Sequence, residues 1–112
     1  MSEEQDLPLD GIKIIEFTHM VMGPTVGVIL ADLGADVIKV EPIGGDNTRR
    51  LVGSGSGYFP MYNRNKKSIS LNLKSEEGLA VAHKLIANAD IMIENFRPGA
   101  LDKLGLGYDQ LK

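Results

Sequence analysis

Three residues of complementary chemistry, Asn95, Phe96 and Arg97, follow one another directly after the short and largely apolar run of residues 91–94. A proline–glycine pair then breaks the chain before helical spacing resumes. An amide, a flat ring and a guanidinium at such a break suit an anionic ligand, because a guanidinium forms strong charge-assisted hydrogen bonds and a ring offers an apolar face. An ordinary strand-to-helix turn, in which Phe96 only plugs the core below the loop, is the alternative interpretation.

Lys74, Lys103 and the basic stretch of residues 64–67 are further cations that suit contact with a polyanion. The alternative is that these side chains are ordinary solvated surface charges. A formal net charge of -3 gives the whole chain no attraction for nucleic acid, so nucleic acid is not a predicted partner. We therefore expect any anion site to be local.

Acid–base and metal chemistry find little support in the sequence. His19 follows the first predicted strand, near the expected ligand edge, whereas His83 lies within a predicted helix and suits a surface position. The chain has no cysteine and no HExxH spacing, so no metal site is predicted. The glycines do not form GxGxxG, the P-loop pattern or GxSxG, and no catalytic residue is predicted in this chain.

The spacing of apolar residues predicts alternating strands and helices that position these side chains. Strands are predicted over residues 12–17, 36–41, 68–73 and 91–94, the last of them buried, with helices that begin at Gly23 and after Ser75. A strand, a helix and a strand this close together imply a parallel crossover, so the predicted fold class is α/β. The carboxyl ends of parallel strands share one edge of the sheet, where ligands bind in such folds.

One domain accounts for a length of 112 residues. Residues 1–8 are predicted to be a flexible acidic tail and residues 9–112 an incomplete domain, because the last residues start an element with no returning strand. The glycine-rich residues 42–57 are predicted to be a mobile loop, suited to a lid. The amino terminus lacks a secretory signal and no apolar run reaches the roughly 20 residues of a membrane helix, which predicts a cytoplasmic protein with no membrane partner.

Several longer motifs occur in one order along the chain. They are LDGI at residues 9–12, GP at 23–24, LADLGADVIKVE at 30–41, GD and TR within 45–49, NRNKKS at 63–68, and ENFRPG at 94–99 with LG at 104–105. On these motifs the chain from residue 8 onward resembles the amino-terminal part of the family III CoA-transferases. This group contains the formyl-CoA and carnitine CoA-transferases and the α-methylacyl-CoA racemases.

The resemblance implies a Rossmann-like parallel sheet with flanking helices, forming the amino-terminal part of a larger CoA-transferase fold. It implies that coenzyme A (CoA) or an acyl-CoA binds as a substrate, with a carboxylic acid as the second substrate and no metal. The CoA contacts that it implies fall on His19, Met20, Val21, Leu71, Asn72, Leu73, Lys74, Asn95, Phe96, Arg97 and Lys103.

The resemblance also implies a mechanism in which an aspartate carboxylate attacks the thioester and CoA moves to the acceptor acid through a covalent aspartyl intermediate. That aspartate lies beyond the matched region. We therefore expect a full-length parent that is an enzyme and a homodimer, and a 112-residue chain that is inactive alone.

Two positions depart from the family pattern. Pro42 stands where many members carry an arginine that contacts the nucleotide end of CoA, and Val21 stands where formyl-CoA transferases carry glutamine. The second departure weakens an assignment to formate or oxalate chemistry. A fragment of an α-methylacyl-CoA racemase and a non-enzymatic α/β interaction module are the alternatives to a CoA-transferase.

Overall fold

Four parallel strands form one sheet in the computed structural model, which describes residues 7–111. Their bounds are β1 Lys13–Phe17, β2 Asp36–Glu41, β3 Lys66–Ser70 and β4 Ile91–Glu94, and their order across the sheet is β3-β2-β1-β4. Every neighbouring pair is parallel. The predicted α/β fold with a parallel sheet is therefore confirmed. Residues 1–6 of the predicted acidic tail lie outside the described residues.

Helices connect or follow these strands. Their bounds are α1 Met22–Asp32, α2 Tyr58–Tyr62, α3 Glu76–Ala87, α4 Ala100–Lys103 and α5 Tyr108–Leu111. The strand order steps in one direction from β1 to β3 and then returns to the far side of β1, so the crossover helices α1 and α3 pack on opposite faces. The change of direction lies between β1 and β4, and ligands bind at such points in parallel sheets.

One face of the sheet has an apolar core. Ile15, Phe17 and Val40 point to this face and pack with Ala82 of α3 and Leu101 of α4. All of these side chains are buried, and partly buried leucines and isoleucines of α3 surround them. Burial of this apolar surface is the main force that holds α3 and α4 against the strands.

The other face, which α1 covers, has apolar side chains near the amino ends of the strands and charged side chains near their carboxyl ends. Near the amino ends, Ile14 and Val37 pack against Ala31 of α1. Two residues further along the same strands, Glu16 and Lys39 point to the same side, because alternate side chains of a strand share a face. This face therefore passes from apolar to ionic as it approaches the edge where ligands bind.

The start of α3 agrees with the prediction, α1 begins one residue before the predicted Gly23, and a glycine follows the end of α1. α3 begins after Ser75, whose hydroxyl accepts a hydrogen bond from the Gly78 N–H at 3.0 Å. Gly34 follows α1 with a φ of +109°, a conformation that side chains with a Cβ rarely adopt. The sequence alone can predict such helix ends, because each cap involves residues that are close together in the chain.

Two strand predictions need correction. β3 spans Lys66–Ser70 rather than residues 68–73, because Lys66 and Lys67 already pair with β2. It ends early because the Asn72 side chain accepts a hydrogen bond from the Lys74 N–H at 3.1 Å and turns the chain. β4 is partly exposed rather than buried, because within the described residues it is an edge strand that pairs only with β1.

The glycine-rich residues 42–57, which were predicted to be a mobile loop, contain two short helical turns. Asp46 caps a 3₁₀ helix over Asn47–Arg50 by accepting the Thr48 N–H at 2.9 Å, and the side chains of Asp46 and Thr48 are buried. A second 3₁₀ turn covers Gly53–Gly55. The first part of this segment is thus attached to the end of the sheet through the buried side chains of Asp46 and Thr48.

Candidate functional site

A cavity of about 840 Å³ lies at the carboxyl ends of all four strands. The residues that follow β1, β2, β3 and β4 form its walls, and α4 closes one side. The lining residues come from segments 17–20, 40–43, 46–48, 71–74 and 96–97, with Leu51, Ala100 and Leu104. The structure therefore places a large concave site at the sheet edge that the sequence predicted.

Most of the predicted contact residues line this cavity. They are His19, Met20, Leu71, Asn72, Leu73, Lys74, Phe96 and Arg97. Leucine side chains and the Phe96 ring make part of the wall apolar, while Lys74 and Arg97 are exposed cations. Phe96 also packs on the apolar core, so its side chain both contacts the core and lines the cavity. An apolar cavity with cations at exposed positions suits an elongated ligand with an anionic end.

Three predicted residues do not line the cavity. Val21 is the half-buried residue that precedes α1, and Lys103 is an exposed residue of α4. The Asn95 side chain bonds the neighbouring loop instead: its oxygen accepts the His19 N–H at 3.1 Å and its NH₂ donates to the His19 carbonyl at 3.0 Å. Asn95 thus holds the loop between β1 and α1 in place.

This β1–α1 loop, residues 18–21, has an unusual backbone. Met20 has a φ of +67°, which is uncommon for a residue with a side chain. Its N–H donates to the Thr48 hydroxyl at 2.9 Å, and the adjacent His19 ring lies 5.5 Å from the Phe96 ring, centroid to centroid. Residues from three loops therefore meet at the cavity wall.

A buried ionic network lies directly beneath this loop. The Lys39 ammonium donates to the Thr18 carbonyl at 2.9 Å and lies 3.1 Å from an Asp46 carboxylate oxygen and 3.7 Å from Glu16. The Thr18 hydroxyl donates a short hydrogen bond to Glu16. Each of these four residues is buried. Within residues 7–111, one oxygen of Glu16 and one of Asp46 are buried with no hydrogen-bond donor, so the contact between Lys39 and Asp46 is an ion pair rather than a hydrogen bond.

Lys66 belongs to this network rather than to a basic surface. Its ammonium contacts Glu16 at 2.9 Å and also donates to the Pro24 carbonyl and the Asn63 side chain, each at 3.0 Å. Burial lowers the pKa of Lys66 below its usual value, and the hydrogen bond to Glu16 opposes that shift.

The neighbouring cations point elsewhere. Arg64 pairs with Asp32 at 2.6 Å, and Lys67 lies 3.5 Å from Asp36. The stretch of residues 64–67 is therefore not the free basic site that the sequence suggested. Alternation along β3 explains the split, since Lys66 and Lys67 must point to opposite faces of the sheet.

Glu41 and Arg49 form a second ionic group beside the cavity. The Arg49 guanidinium binds both Glu41 oxygens, at 2.8 and 2.7 Å, and stacks on the Phe59 ring at 4.0 Å. Burial by itself raises the pKa of Glu41, but hydrogen bonds from Arg49, Ser68 and the Asp46 N–H outweigh it and lower the pKa to about 2. Glu41 therefore stays ionised at neutral pH.

Sequence reasoning missed the contacts that join this set of charged and polar residues, although it noted Lys66 as part of a basic stretch. They are Glu16, Lys39, Glu41, Asp46, Thr48, Arg49 and Lys66. One signal was available: a lysine in the middle of an otherwise apolar central strand must be buried and therefore needs partners. Nothing local identifies those partners, because they come from β1, β3 and a loop.

Metal and membrane features are not found in the part of the chain that the structure describes. No group of three or more His, Asp or Glu side chains is arranged to hold a metal ion among residues 7–111. No helix there is long and apolar enough to cross a bilayer. His83 is exposed on α3, which agrees with the predicted surface position.

Comparisons with known proteins agree with these features. The family CoA-transferase family III matches residues 9–112. The chain is 48% identical over 108 residues to the acetyl-CoA:oxalate CoA-transferase of Acetobacter aceti, covering 93% of this chain and 28% of that protein. It is 45% identical over 109 residues to the succinyl-CoA:glutarate CoA-transferase of Homo sapiens, covering 93% of this chain and 25% of that protein.

Solved structures give the same result. A Mycobacterium tuberculosis protein solved in an orthorhombic form matches with a TM-score of 0.91 at 44% identity, over 96% of this chain and 30% of that one. A CAIB/BAIF family protein of Brucella suis matches with a TM-score of 0.88 at 46% identity, over 96% and 31%. The chain spans about a quarter of the length of the curated relatives named above. It belongs to CoA-transferase family III.

Proposed function

We propose that the cavity binds the CoA part of an acyl-CoA, and that this chain supplies the CoA-binding portion of an acyl-CoA:carboxylate CoA-transferase. One observation carries the proposal. In a chain of this family, a large and partly apolar cavity lies where the parallel strands change direction, and it is lined by Lys74 and Arg97.

The chemistry of the walls matches the two ends of CoA. Apolar walls at Leu71, Leu73 and Phe96 suit the pantetheine arm, which has little charge. Lys74 and Arg97 suit the phosphates, because each hydrogen bond from a cation to an anionic oxygen contributes about 1.5 to 3 kcal/mol. Exposure of both cations fits a ligand whose charged end stays close to solvent.

For catalysis we propose a covalent route. An aspartate carboxylate attacks the acyl-CoA thioester, and CoA leaves as a thiolate to give a mixed anhydride. The CoA thiolate then attacks the aspartyl carbonyl, which releases the donor acid as a carboxylate and leaves an enzyme-bound CoA thioester. The acceptor carboxylate displaces CoA from this thioester to form a second anhydride, and CoA attacks its acceptor acyl carbon, which yields the new acyl-CoA and the free aspartate. We place that aspartate in the part of the family that this chain does not match. The residues described above would hold CoA during these steps.

The relatives favour a transferase over a racemase, since those reported above are named as CoA-transferases. Their named acids differ, yet their identity to this chain is similar, at 48% and 45%. This similarity supports a role in holding CoA, the substrate portion that such enzymes share, rather than in selecting the acid. For the longer protein we propose a cytoplasmic homodimer that takes an acyl-CoA and a carboxylic acid.

Isothermal titration of the chain with CoA tests the proposal. We expect the wild type to bind CoA and Arg97→Ala to bind about tenfold more weakly, because one charge-assisted contact is lost. Arg64→Ala is the matched control, since Arg64 pairs with Asp32 and does not line the cavity. Binding of pantetheine, which lacks the nucleotide phosphates, should be the same in Arg97→Ala and the wild type.

The result that contradicts the proposal is absence of CoA binding by the wild type, which would favour the non-enzymatic interaction module. Equal CoA affinity in wild type and Arg97→Ala would contradict the assignment of this contact.

A further inference from the structure

We infer that buried Lys39 is a positioning residue, which acts through Asp46 and Thr48 to hold the β1–α1 loop in the shape that the ligand cavity requires. The inference rests on the proposed function of the cavity as a CoA site. Lys39 does not line the cavity, so any effect of this residue on ligand binding must pass through other groups.

The loop is held by side chains from three separate segments. Lys39 of β2 donates to the Thr18 carbonyl at 2.9 Å. Asn95, which follows β4, pairs with both the N–H and the carbonyl of His19, and Thr48 accepts the N–H of Met20 at 2.9 Å. Three consecutive residues of a ligand-lining loop therefore have backbone groups bonded to side chains rather than to secondary structure.

The conformation at Met20 needs this support. A φ of +67° in a residue with a Cβ is strained relative to ordinary backbone. Such conformations persist where the surrounding structure over-determines them, and they cluster at functional sites. The hydrogen bond from the Met20 N–H to Thr48 is the contact that fixes this residue directly.

Lys39 reaches Met20 through a continuous chain of contacts. Its ammonium lies 3.1 Å from one Asp46 oxygen, and the other Asp46 oxygen accepts both the N–H and the hydroxyl of Thr48, at 2.9 and 2.8 Å. The Thr48 hydroxyl donates its one proton to Asp46 and is thereby oriented to accept from Met20. The buried charge thus orients the group that holds the loop.

Stability is a weak explanation for a lysine at this place. Burying an ammonium costs free energy that an apolar side chain would avoid, and well-packed apolar replacements of buried ion pairs are often neutral or stabilising. Val37, two residues earlier on the same face, packs in the apolar part of this side of β2, so the change to a charged residue occurs where β2 approaches the cavity. Fixing the geometry of the loop is a role that an apolar residue could not perform.

Amide exchange measured by NMR, together with CoA titration, tests the inference. We expect Thr48→Val to speed exchange of the Met20 N–H about tenfold or more, and to weaken CoA binding by a similar factor, because one oriented acceptor is lost. Exchange at Ile15 in the centre of β1 serves as the internal reference for global opening. Thr48→Ser keeps the hydroxyl and should restore both properties.

Lys39→Met tests whether the charge of Lys39 is what orders the β1–α1 loop. We expect faster exchange at Met20 and weaker CoA binding, although Lys39 lies outside the cavity wall. Lys67→Met is the matched control, because the side chain of Lys67 is 74% exposed and points away from the network. If Lys39→Met does not fold, the Thr48 variants decide the question alone.

The outcomes separate this inference from the proposed function. Normal exchange at Met20 in Thr48→Val overturns the inference, and so does a rise of equal size at Met20 and Ile15, which would show global destabilisation. If the wild type binds no CoA, the proposed function fails, while a selective rise at Met20 would still support positioning of the loop. Normal CoA affinity in a variant with selectively faster Met20 exchange overturns the link to the ligand.

Discussion

Glu41 shows how a single buried carboxylate can be kept ionised at the end of a strand. Burial alone favours the neutral acid, but Arg49, Ser68 and the Asp46 N–H all donate hydrogen bonds to its two oxygens. The net result is a pKa of about 2 in the folded protein, against a usual value of 4.5. The folded state therefore binds protons less readily at this residue than the unfolded state does.

This difference predicts a loss of stability in acid. Because the folded pKa lies below the unfolded one, the contribution of Glu41 is complete above about pH 4.5 and disappears as pH falls towards about 2. Glu41→Gln should be less stable than the wild type at about pH 6 and should lose less of its stability on acidification. Urea unfolding at several pH values measures the free energy of unfolding for each protein.

The matched control for Glu41 is Asp32→Asn. Asp32 pairs with Arg64 at the surface, where both side chains are largely exposed, and exposed pairs contribute about 0 to 1 kcal/mol. We expect this variant to follow the wild type across the pH range. A Glu41→Gln curve parallel to the wild-type curve would show that Glu41 is not the group that titrates.

At the scale of elements, the junction between β1 and α1 depends on a close approach. Gly23 lies in the first turn of α1, and a Cβ at this position would stand 2.7 Å from both the Asn95 and the Thr18 side chains. Asn95 is held by two hydrogen bonds to His19, and Thr18 is buried in the ionic network. Neither neighbour can move without disturbing the cavity wall.

Gly23→Ala should therefore destabilise the protein by about 1 to 3 kcal/mol, as overpacking in a tight region does. It should also weaken binding of CoA, because Asn95 can no longer hold His19 in place. Thermal unfolding and CoA titration measure the two effects. Gly57→Ala is the matched control, because no heavy atom lies within 4 Å of a Cβ at that position. Equal unfolding temperatures for the two variants would contradict this account of the junction.

At the scale of the whole molecule, the ionic network ties the sheet together across three strands. Glu16 of β1 contacts both Lys39 of β2 and Lys66 of β3, and the Lys66 ammonium also donates to the Pro24 carbonyl in α1. Buried charges of this kind are sensitive to the loss of one partner, because the remaining charge is left in a poorly solvated place. Loss of one charge in the network should therefore destabilise several strands and α1 at once.

Lys66→Met should destabilise the folded chain by about 3 to 5 kcal/mol, because it leaves Glu16 with less positive charge nearby. Lys67→Met, one residue along the same strand, should change the free energy of unfolding by no more than about 0.5 kcal/mol. Urea denaturation of both variants measures the difference. Similar losses in the two would mean that the buried ion pairs contribute little to the fold.

Much of this architecture was accessible from the sequence. Apolar spacing located the strands and both long helices, and Ser75 and Gly34 marked helix ends, because those signals depend on neighbours within a few residues. The predicted strand ends also predicted the position of the cavity, since parallel strands bring their carboxyl ends to one edge of the sheet. The errors fell at the bounds of β3, where the Asn72 side chain turns the chain, and at β4, which is an edge strand among the described residues rather than a buried one.

The three-dimensional structure was required to separate the charges that face a ligand from those that are buried. In the sequence, Lys66 and Lys67 are adjacent cations with the same predicted role, and Asn95 is a predicted ligand contact. In the structure, Lys66 is buried against Glu16, Lys67 is exposed, and the Asn95 side chain binds the β1–α1 loop. Local residue order therefore established the α/β elements and the edge at which a ligand would bind. The partners of each charge followed from strand order and register, which join residues far apart in the chain and leave no mark in any short stretch of sequence.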